Sequence, residues 1–264
     1  MEAGNRCFDL NVPEEINRRI IDHISDYNLV YTEHARRHLL SEGIPHRRIY
    51  LTGSPMKEVL MTHLARIKAS NALSELGLEK GKYFLVSAHR EENVDNKENL
   101  LKILASLEKI YNEFKLPVIV STHPRTRKRL ETLGKTNIPD GVKFLKPFGF
   151  LDYNWLQMNA CCVLSDSGTI CEESAILNFP AITIRNAIER PEAMDAGTII
   201  MTGLEPEVIV SAIRIQISED NKKMPRRIPA DYEIENTSYR VVKLIIGTSR
   251  LSHIWDNIKL NDLV

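Results

Sequence analysis

The chain has 264 residues, with 35 basic and 35 acidic side chains and a formal net charge of +0. A nucleic-acid-binding domain needs a basic excess on one face, so this balance argues against a nucleic-acid partner. A membrane-spanning helix needs about 18 or more consecutive apolar residues, and the sequence has no such run. Its length fits one large domain or two small ones.

The four cysteines, at positions 7, 161, 162 and 171, do not have the spacing of a metal site. Cys161 and Cys162 are neighbours in a predicted strand, where they point to opposite faces and cannot chelate one ion together. The N-terminus lacks the charged and then apolar pattern of a signal peptide. We therefore expect reduced thiols, no metal and a cytoplasmic protein without a membrane partner.

The front of the chain predicts alternating helices and strands. A helix opens at Pro13, and isoleucines at positions 16, 20, 21 and 24 give it an apolar stripe at helical spacing. The elements that follow are strand 28–31, a helix capped by Thr32 that ends at Gly43, strand 48–52, and a helical segment 56–76 with a break at Ser70 and Asn71.

From Tyr83 onward, short apolar strands and helices alternate regularly. The predicted strands are 83–87, 117–121, 142–145, 161–164, 181–184 and 198–201. The predicted helices are 97–114, 124–133, 151–158, 169–177 and 206–217, followed by a loop over 218–237 and helical segments at 239–246 and 252–260. This pattern is typical of a doubly wound, mostly parallel α/β sheet, whose ligand binds at the carboxyl ends of the strands.

The turn after the fourth of these strands ends in Ser167 and Gly168, and a helix begins at once. Gly168 allows a ligand close to the backbone, and hydroxyl groups and free N–H groups of a helix start suit a phosphate. A carboxylate nearby, such as Glu172 or Glu173, would repel phosphate and suits a ribose diol instead. The alternative is structural: Ser167 caps the helix, and Glu172 only complements the helix dipole.

Polar side chains also follow the neighbouring strands. His89 and Arg90 follow the first strand and His123 the second, so they converge on the same rim. Histidine and arginine beside a helix start bind a diphosphate through charge-assisted hydrogen bonds. Further along, Arg190 stands next to a proline that suits the first turn of a helix, where a solvated helix start is the structural alternative.

Several separated blocks now occur in a recognisable order: EAG-x-R, PEE-x-NR, HR-E, HP, DSG-x-I-x-EE and ERPEA-x-x-AGT. Together they resemble the non-hydrolysing UDP-N-acetylglucosamine 2-epimerase family. EAGNRCFD and PEEINR are most similar to the subgroup that forms UDP-N-acetyl-L-fucosamine from UDP-2-acetamido-2,6-dideoxy-L-talose. The resemblance implies two Rossmann-like domains in the B-type glycosyltransferase arrangement, a UDP-sugar substrate, no cofactor and a homodimer.

The same resemblance implies the domain limits. EAG-x-R lies mid-domain in the family, so we expect the family's N-terminal segment, on the order of a hundred residues, to be missing. Residues 1–78 would be the remainder of the first domain, 79–237 the UDP-binding domain, and 238–264 helices packing back towards the first domain. Such a truncated chain is expected to be inactive alone and to need a separate N-terminal fragment.

The site residues are carried over from the matching blocks. By resemblance, Glu2 and Glu14 are the catalytic carboxylates and His89 is the catalytic histidine near the diphosphate. The remaining expected substrate contacts are Arg6, Arg90, His123, Ser167, Gly168, Glu173 and Arg190. The chain departs from the family pattern at Thr169, where the family often has glycine, and a further catalytic aspartate of the family lies upstream of Met1.

Three other functions fit the same sequence. A B-type UDP-sugar glycosyltransferase would use the same nucleotide site but would give Glu2 and Glu14 no role at C2 of the sugar. A non-catalytic fragment that only binds a UDP-sugar is a second alternative. A hydrolysing 2-epimerase, which would release free UDP, is the third.

Overall fold

The computed structural model describes residues 1–7, 9, 12–133, 139–219, 221 and 228–255. The chain divides into two units. The first contains Met1–Val59 together with Ala230–Val264, and the second is Leu60–Pro229. Both are α/β structures with parallel strands, as the sequence predicts. Within the described residues, we find no helix with the length and apolar character that a bilayer crossing requires.

The described helices are α1 (Pro13–Ile24), α2 (Glu33–Ser41), α3 (Met56–Lys68), α4 (Ala72–Glu75), α5 (Glu91–Val94), α6 (Lys97–Phe114), α7 (Pro124–Leu133), α8 (Phe150–Asn159), α9 (Ile170–Leu177), α10 (Glu192–Asp195), α11 (Pro206–Ile217), α12 (Thr237–Thr248) and α13 (Ser252–Trp255). The strands are β1 (Asn28–Val30), β2 (Ile49–Leu51), β3 (Phe84–Ser87), β4 (Val118–Ser121), β5 (Val142–Leu145), β6 (Cys162–Ser165), β7 (Ala181–Thr183) and β8 (Ile200–Met201). Two short 3₁₀ helices cover His46–Arg48 and Ala230–Tyr232.

The first unit is built on a small parallel sheet. Strand β1 pairs with β2, and Ala3 adds a single parallel bridge to Val30. Helix α2 packs on this sheet and begins as predicted, because the Thr32 hydroxyl accepts a hydrogen bond from the Ala35 amide at 3.2 Å. The buried apolar core of this unit consists of Ala3, Val30, Ala35, Leu39, Ile44 and Ile49.

The second unit has six parallel strands in the order β5-β4-β3-β6-β7-β8. This is the doubly wound order. The chain adds β4 and β5 on one side of β3, and then β6, β7 and β8 on the other side, so the direction in which strands are added reverses between β3 and β6. Strands β3, β4 and β6 are almost wholly apolar, because helices cover a parallel sheet on both faces. In the register of β3 and β6, Ser87 lies opposite Ser165, so both strands end at the same level.

Four elements have the bounds that the sequence predicts: α6, α7, β5 and α11. The predicted break in the segment 56–76 separates α3 from α4. Helix α5 was not predicted, because four residues are too few to show a helical period, whereas α10 begins directly after Pro191, where the sequence offered a helix start. The last predicted helix begins at Ser252, but its residues after Trp255 lie outside the described range, as does much of the predicted loop 218–237.

The isoleucine stripe of α1 faces outward in the described structure. Ile16, Ile20, Ile21 and Ile24 are 54–77% exposed, whereas Glu15 on the same helix is fully buried. The Glu15 carboxylate accepts hydrogen bonds from the Cys7 amide at 2.8 Å and from Arg19 at 2.9 Å. Helix α1 is therefore tied to the first unit by a polar contact as well as by packing.

Gly4 and Gly43 offer a matched pair of substitutions in the first unit. Both have a left-handed backbone, with φ of 77° and 84°. A Cβ on Gly4 would lie 2.3 Å from the Ala35 carbonyl oxygen, whereas a Cβ on Gly43 would meet nothing within 4 Å. We expect Gly43→Ala to lower the free energy of unfolding by about 1 kcal/mol. Gly4→Ala should cost about 2 kcal/mol more, because backbone must move.

Urea unfolding of the two variants, followed by Trp255 fluorescence, measures the difference. Trp255 belongs to the first unit, and the other tryptophan, Trp155, belongs to the second. A Trp155→Phe background therefore isolates the signal. Equal losses in the two variants would show that the Ala35 carbonyl does not constrain Gly4.

Candidate active site

The candidate site lies where β3 and β6 end, at the point where the winding of the sheet reverses. Residues that follow these two strands are neighbours because β3 and β6 pair along their whole length. Ala88, His89 and Arg90 follow β3, and Asp166, Ser167 and Gly168 follow β6. Ligands of doubly wound sheets bind in the crevice at such a reversal.

Asp166 is the buried residue that holds the backbone of this rim in place. Its side chain is fully buried, and its carboxylate accepts hydrogen bonds from the backbone amides of His89 and Arg90, both at 2.9 Å to Oδ2. Asn93 donates a further bond at 3.0 Å. Burial alone would raise the pKa of Asp166, but the hydrogen bonds from His89, Arg90 and Asn93 hold this pKa below its ordinary value. Asp166 is therefore a buried carboxylate.

His89 is oriented by that carboxylate. Its Nδ1 lies 3.1 Å from Asp166 Oδ1, while the imidazole side chain remains 39% exposed. A carboxylate on Nδ1 selects the tautomer with the proton on that nitrogen and leaves Nε2 for other partners. The ring of His123 lies nearby, with 5.9 Å between the ring centroids. The structure thus brings the two predicted histidines together.

Two predicted arginines meet over Gly168. A Cβ built on Gly168 would lie 2.7 Å from Nη1 of Arg190 and 3.9 Å from Nη2 of Arg90. Any side chain at this position would displace the end of the Arg190 side chain from its present place. Arg190 is held by Glu172, with 3.1 Å between Nε and Oε2, and Arg90 Nε donates to the Asp166 carbonyl at 3.0 Å. The turn therefore carries two positioned guanidinium groups.

Ser167 and Thr169 supply hydroxyl groups at the start of α9. Their Oγ atoms are 3.0 Å apart, and the Thr169 amide donates to Ser167 Oγ at 3.4 Å. The alternative that Ser167 caps the helix is wrong, because the N-cap of α9 is Thr169 and it makes no side-chain capping bond. Because the two hydroxyls share one hydrogen bond, the pair retains capacity for an anion at this end of the helix.

Glu173 lies one turn into α9 and is partly buried. Gln157 donates to its Oε2 at 2.8 Å. Burial raises the pKa of the Glu173 carboxyl, against the lowering effect of hydrogen bonds from Gln157 and Thr169. The Glu173 carboxyl can accept hydrogen bonds from a pair of hydroxyl groups. Hydroxyl groups are neutral, so this partner avoids the repulsion that a phosphate would cause.

Sequence reasoning gave no role to Asp166, Asn93 or Gln157. Asp166 carried one signal, since it is an acidic residue at the end of a strand that is otherwise apolar. Its partners lie 73 to 77 positions away along the chain, so only the pairing of β3 with β6 reveals them. Among the described residues, we find no group of three histidine, cysteine, aspartate or glutamate side chains arranged for a metal ion.

The first unit holds the two predicted catalytic carboxylates, Glu2 and Glu14, and both are exposed. Glu2 has a left-handed backbone with φ of 63°, an uncommon conformation for a residue other than glycine. Asn5 donates to its Oε1 at 3.2 Å. Strained backbone of this kind concentrates at functional positions, which fits the role expected of Glu2.

Arg6 is occupied by a network inside the first unit. Its Nη1 lies 2.7 Å from Asp22, and its Nε and Nη2 bind Glu42 at 2.7 Å each. The hydrogen bonds from Arg6 lower the pKa of Glu42 to about 2. The structure thus assigns Arg6 a part in holding α1 and α2 together, and its expected contact with a ligand stays a prediction.

The family model of UDP-N-acetylglucosamine 2-epimerase matches residues 1–246 of the chain. The chain belongs to the UDP-N-acetylglucosamine 2-epimerase family. A UDP-N-acetylglucosamine 2-epimerase of Methanocaldococcus jannaschii is 38% identical over 226 residues, which are 83% of this chain and 62% of that protein. This chain therefore spans less than two thirds of that epimerase relative.

Solved epimerase structures show the same fold. The structure of UDP-N-acetylglucosamine 2-epimerase from Rickettsia bellii has a TM-score of 0.87 and 46% identity, over 96% of this chain and 68% of that one. The M. jannaschii enzyme in complex with UDP-GlcNAc and UDP has a TM-score of 0.84 and 34% identity, over 94% and 68%. The predicted family and the α/β fold of the B-type glycosyltransferase kind are confirmed.

Proposed function

We propose that the site between the ends of β3 and β6 binds the diphosphate of a UDP-N-acetylhexosamine, and that the chain takes part in inversion at C2 of that sugar. The observation that carries this proposal is the meeting of Arg90 and Arg190 over Gly168. Two guanidinium groups beside a helix start present charge-assisted donors to a diphosphate. Glu173 would then receive the ribose hydroxyls.

The reaction proposed is an elimination followed by a re-addition. A base removes the proton at C2, and the C–H electron pair forms a double bond between C1 and C2. The bond from C1 to the diphosphate oxygen breaks, and its electron pair leaves with UDP to give a 2-acetamidoglycal. A proton then adds to the opposite face of C2, and UDP returns to C1. Nothing is oxidised or reduced.

Each residue has one task in this scheme. Glu2 and Glu14 serve as acid and base at C2. His89, held by Asp166, donates from Nε2 to the departing diphosphate when it is protonated. Arg90 and Arg190 balance the charge that develops on the leaving group. His123 lies beside His89 and lines the same rim.

The finer assignments are part of the same proposal and rest on the sequence resemblance. We assign UDP-2-acetamido-2,6-dideoxy-L-talose as the substrate, in the synthesis of surface polysaccharide precursors. A cytoplasmic homodimer is the expected form.

Calorimetric titration with UDP tests the nucleotide site directly. We expect saturable binding that weakens about tenfold or more in Ser167→Ala and in Glu173→Ala, since each loss removes a hydrogen bond worth about 1.4 kcal/mol. Glu108→Ala, an exposed position on α6, is the matched control and should bind like the parent chain. Binding that both site variants leave intact would place the nucleotide elsewhere.

Solvent deuterium separates the reaction classes once turnover is measured. Epimerisation through the glycal incorporates deuterium at C2 of the sugar, whereas glycosyl transfer leaves C2 protonated. Accumulation of free UDP without an acceptor would identify the hydrolysing reaction instead. UDP binding without turnover or deuterium incorporation, by the chain alone and after addition of a separate N-terminal fragment, would contradict a catalytic role for this chain.

A further inference from the structure

A second concave site lies wholly in the first unit, among α2, the segment through β2, and α12. The cavity has a volume of about 520 Å³. Four lining residues carry permanent positive charge, Arg36, Arg47, Arg240 and Lys243, and His46 adds a titratable ring. The lining side chains that the structure describes include no carboxylate. This composition distinguishes the cavity from an ordinary mixed surface.

The cavity also has an apolar wall. Ile49, Tyr50 and Leu51 contribute it from β2, and Leu244 contributes from α12. Ile49 is 3% exposed and is part of the buried core, so this wall is fixed to the sheet. The Tyr50 ring packs against Tyr27, with 5.9 Å between the centroids. A ligand with a planar or apolar body would therefore meet a preformed surface.

The contacts of the cations leave donors for an anion. Arg36 pairs with Glu33 through Nη1 at 3.2 Å, while its Nε is buried without a hydrogen-bond partner. Arg240 uses Nε on the neutral amide oxygen of Asn236 at 2.9 Å. Lys243 lies over the ring of Tyr239, 4.5 Å from its centroid, which leaves its ammonium protons available. An anion in the cavity would therefore meet the cationic groups of Arg36, Arg240 and Lys243, none of which is paired with a carboxylate other than Glu33 in the described contacts.

We infer that this cavity binds a small organic phosphate, with its phosphate on Arg36, Arg240 and Lys243 and its apolar body on β2. Arginine guanidinium groups match phosphate oxygens geometrically, and several converging cations favour a dianion over a monocarboxylate. None of the residues that line the cavity has a role in the proposed epimerase reaction, and the nucleotide site at β3 and β6 belongs to the second unit. A nucleic acid is not favoured, since the chain carries a formal net charge of +0.

Calorimetric titration with phenyl phosphate tests the inference, because this probe carries a dianion and a planar body. We expect saturable binding in the full chain that weakens at least tenfold in the double variant Arg240→Gln with Lys243→Gln. The double variant Arg37→Gln with Lys68→Gln removes the same charge at exposed positions outside the cavity lining and should bind like the parent. Equal losses in the two double variants would show a general charge effect and overturn the site.

A second variant tests the apolar wall and guards against loss of fold. Leu244→Ala should weaken phenyl phosphate several-fold and leave the weaker binding of inorganic phosphate unchanged, because inorganic phosphate has no body to contact Leu244. Saturating UDP should leave phenyl phosphate binding intact. Displacement of phenyl phosphate by UDP would refute the assignment. So would the absence of saturable binding by the parent chain when its circular dichroism shows that it is folded.

Discussion

Asp166→Asn is expected to destabilise the second unit by about 3 kcal/mol and to release His89. An asparagine keeps only one acceptor oxygen: with that oxygen at the Oδ2 position for the amides of His89 and Arg90, its NH₂ group takes the Oδ1 position and faces the His89 amide, which now donates to Oδ1 at 3.1 Å. Donors that face donors in a buried site lose their hydrogen bonds outright. Urea unfolding in a Trp255→Phe background, followed by Trp155 fluorescence, reports the second unit alone.

The matched control for this substitution is Asp152→Asn on α8. Asp152 is exposed and accepts one hydrogen bond, from Ser70 Oγ at 2.6 Å. Its replacement should change the free energy of unfolding by less than about 0.5 kcal/mol. A similar small effect at Asp166 would mean that the rim does not depend on its buried carboxylate.

The effect on His89 has its own measurement. In the parent chain the neutral imidazole should carry its proton on Nδ1, because Asp166 Oδ1 accepts there at 3.1 Å. The amide of asparagine can donate to Nδ1 instead, which shifts the proton to Nε2. Imidazole nitrogen chemical shifts distinguish the two tautomers. An unchanged tautomer in Asp166→Asn would remove Asp166 as the residue that positions His89.

The acid sensitivity of the second unit follows from the same carboxylate. The pKa of Asp166 is lower in the folded chain than in the unfolded one, so its ionised form stabilises the fold above about pH 4. That contribution is lost as the pH falls below this value. Asp166→Asn should therefore flatten the acid limb of the stability profile of the second unit.

Arg6→Met is expected to lower the stability of the first unit by about 3–5 kcal/mol, the usual cost of removing one partner from a buried ion pair. The substitution removes bonds to Asp22 and Glu42, all at 2.7 Å, and leaves both carboxylates without their main cation. Methionine keeps the apolar length of the side chain, so the loss reports charge and hydrogen bonding. Urea unfolding with Trp255 as the probe measures it.

Arg37→Met is the matched control for Arg6→Met. Arg37 is 71% exposed, and its Nε lies 3.8 Å from Glu33, so its removal should cost less than about 0.5 kcal/mol. The pH dependence gives a second test. Because Arg6 lowers the pKa of Glu42 to about 2, the ionised Glu42 stabilises the parent above its unfolded pKa, and this stability is lost as the pH falls towards 2. Arg6→Met should lose that dependence, and an unchanged acid profile would contradict the network.

The regular part of the fold could be predicted from the sequence because its signals are local. Helices α6, α7 and α11 show a sustained helical period, and β5 is a short run between turn residues. The pairing of β3 with β6 is a different kind of fact, since their residues are far apart in sequence. Sequence reasoning therefore found the residues on the rim but could not show which of them touch.

In the site, too, the residues with local sequence signals were found, and those defined by long-range contacts were not. The resemblance identified His89, Arg90, Gly168 and Arg190, and the structure brings these four together. The buried support, Asp166, was missed because its importance depends on donors from another strand. Arg6 shows the opposite case. The sequence block predicted a ligand contact for it, but its guanidinium group binds Asp22 of α1 and Glu42 at the end of α2.

The division of the chain into units sets an order for its synthesis. The second unit is continuous, Leu60–Pro229, whereas the first needs both Met1–Val59 and the segment that begins at Ala230. A ribosome adds about 5–20 residues per second, so the front of the first unit waits roughly 10–40 s for its C-terminal partner to emerge. During that interval the front of the first unit lacks the segment that completes it, whereas the whole of the second unit has been synthesised once Pro229 is added. Ribosome-bound chains would show protease protection of the second unit before the first.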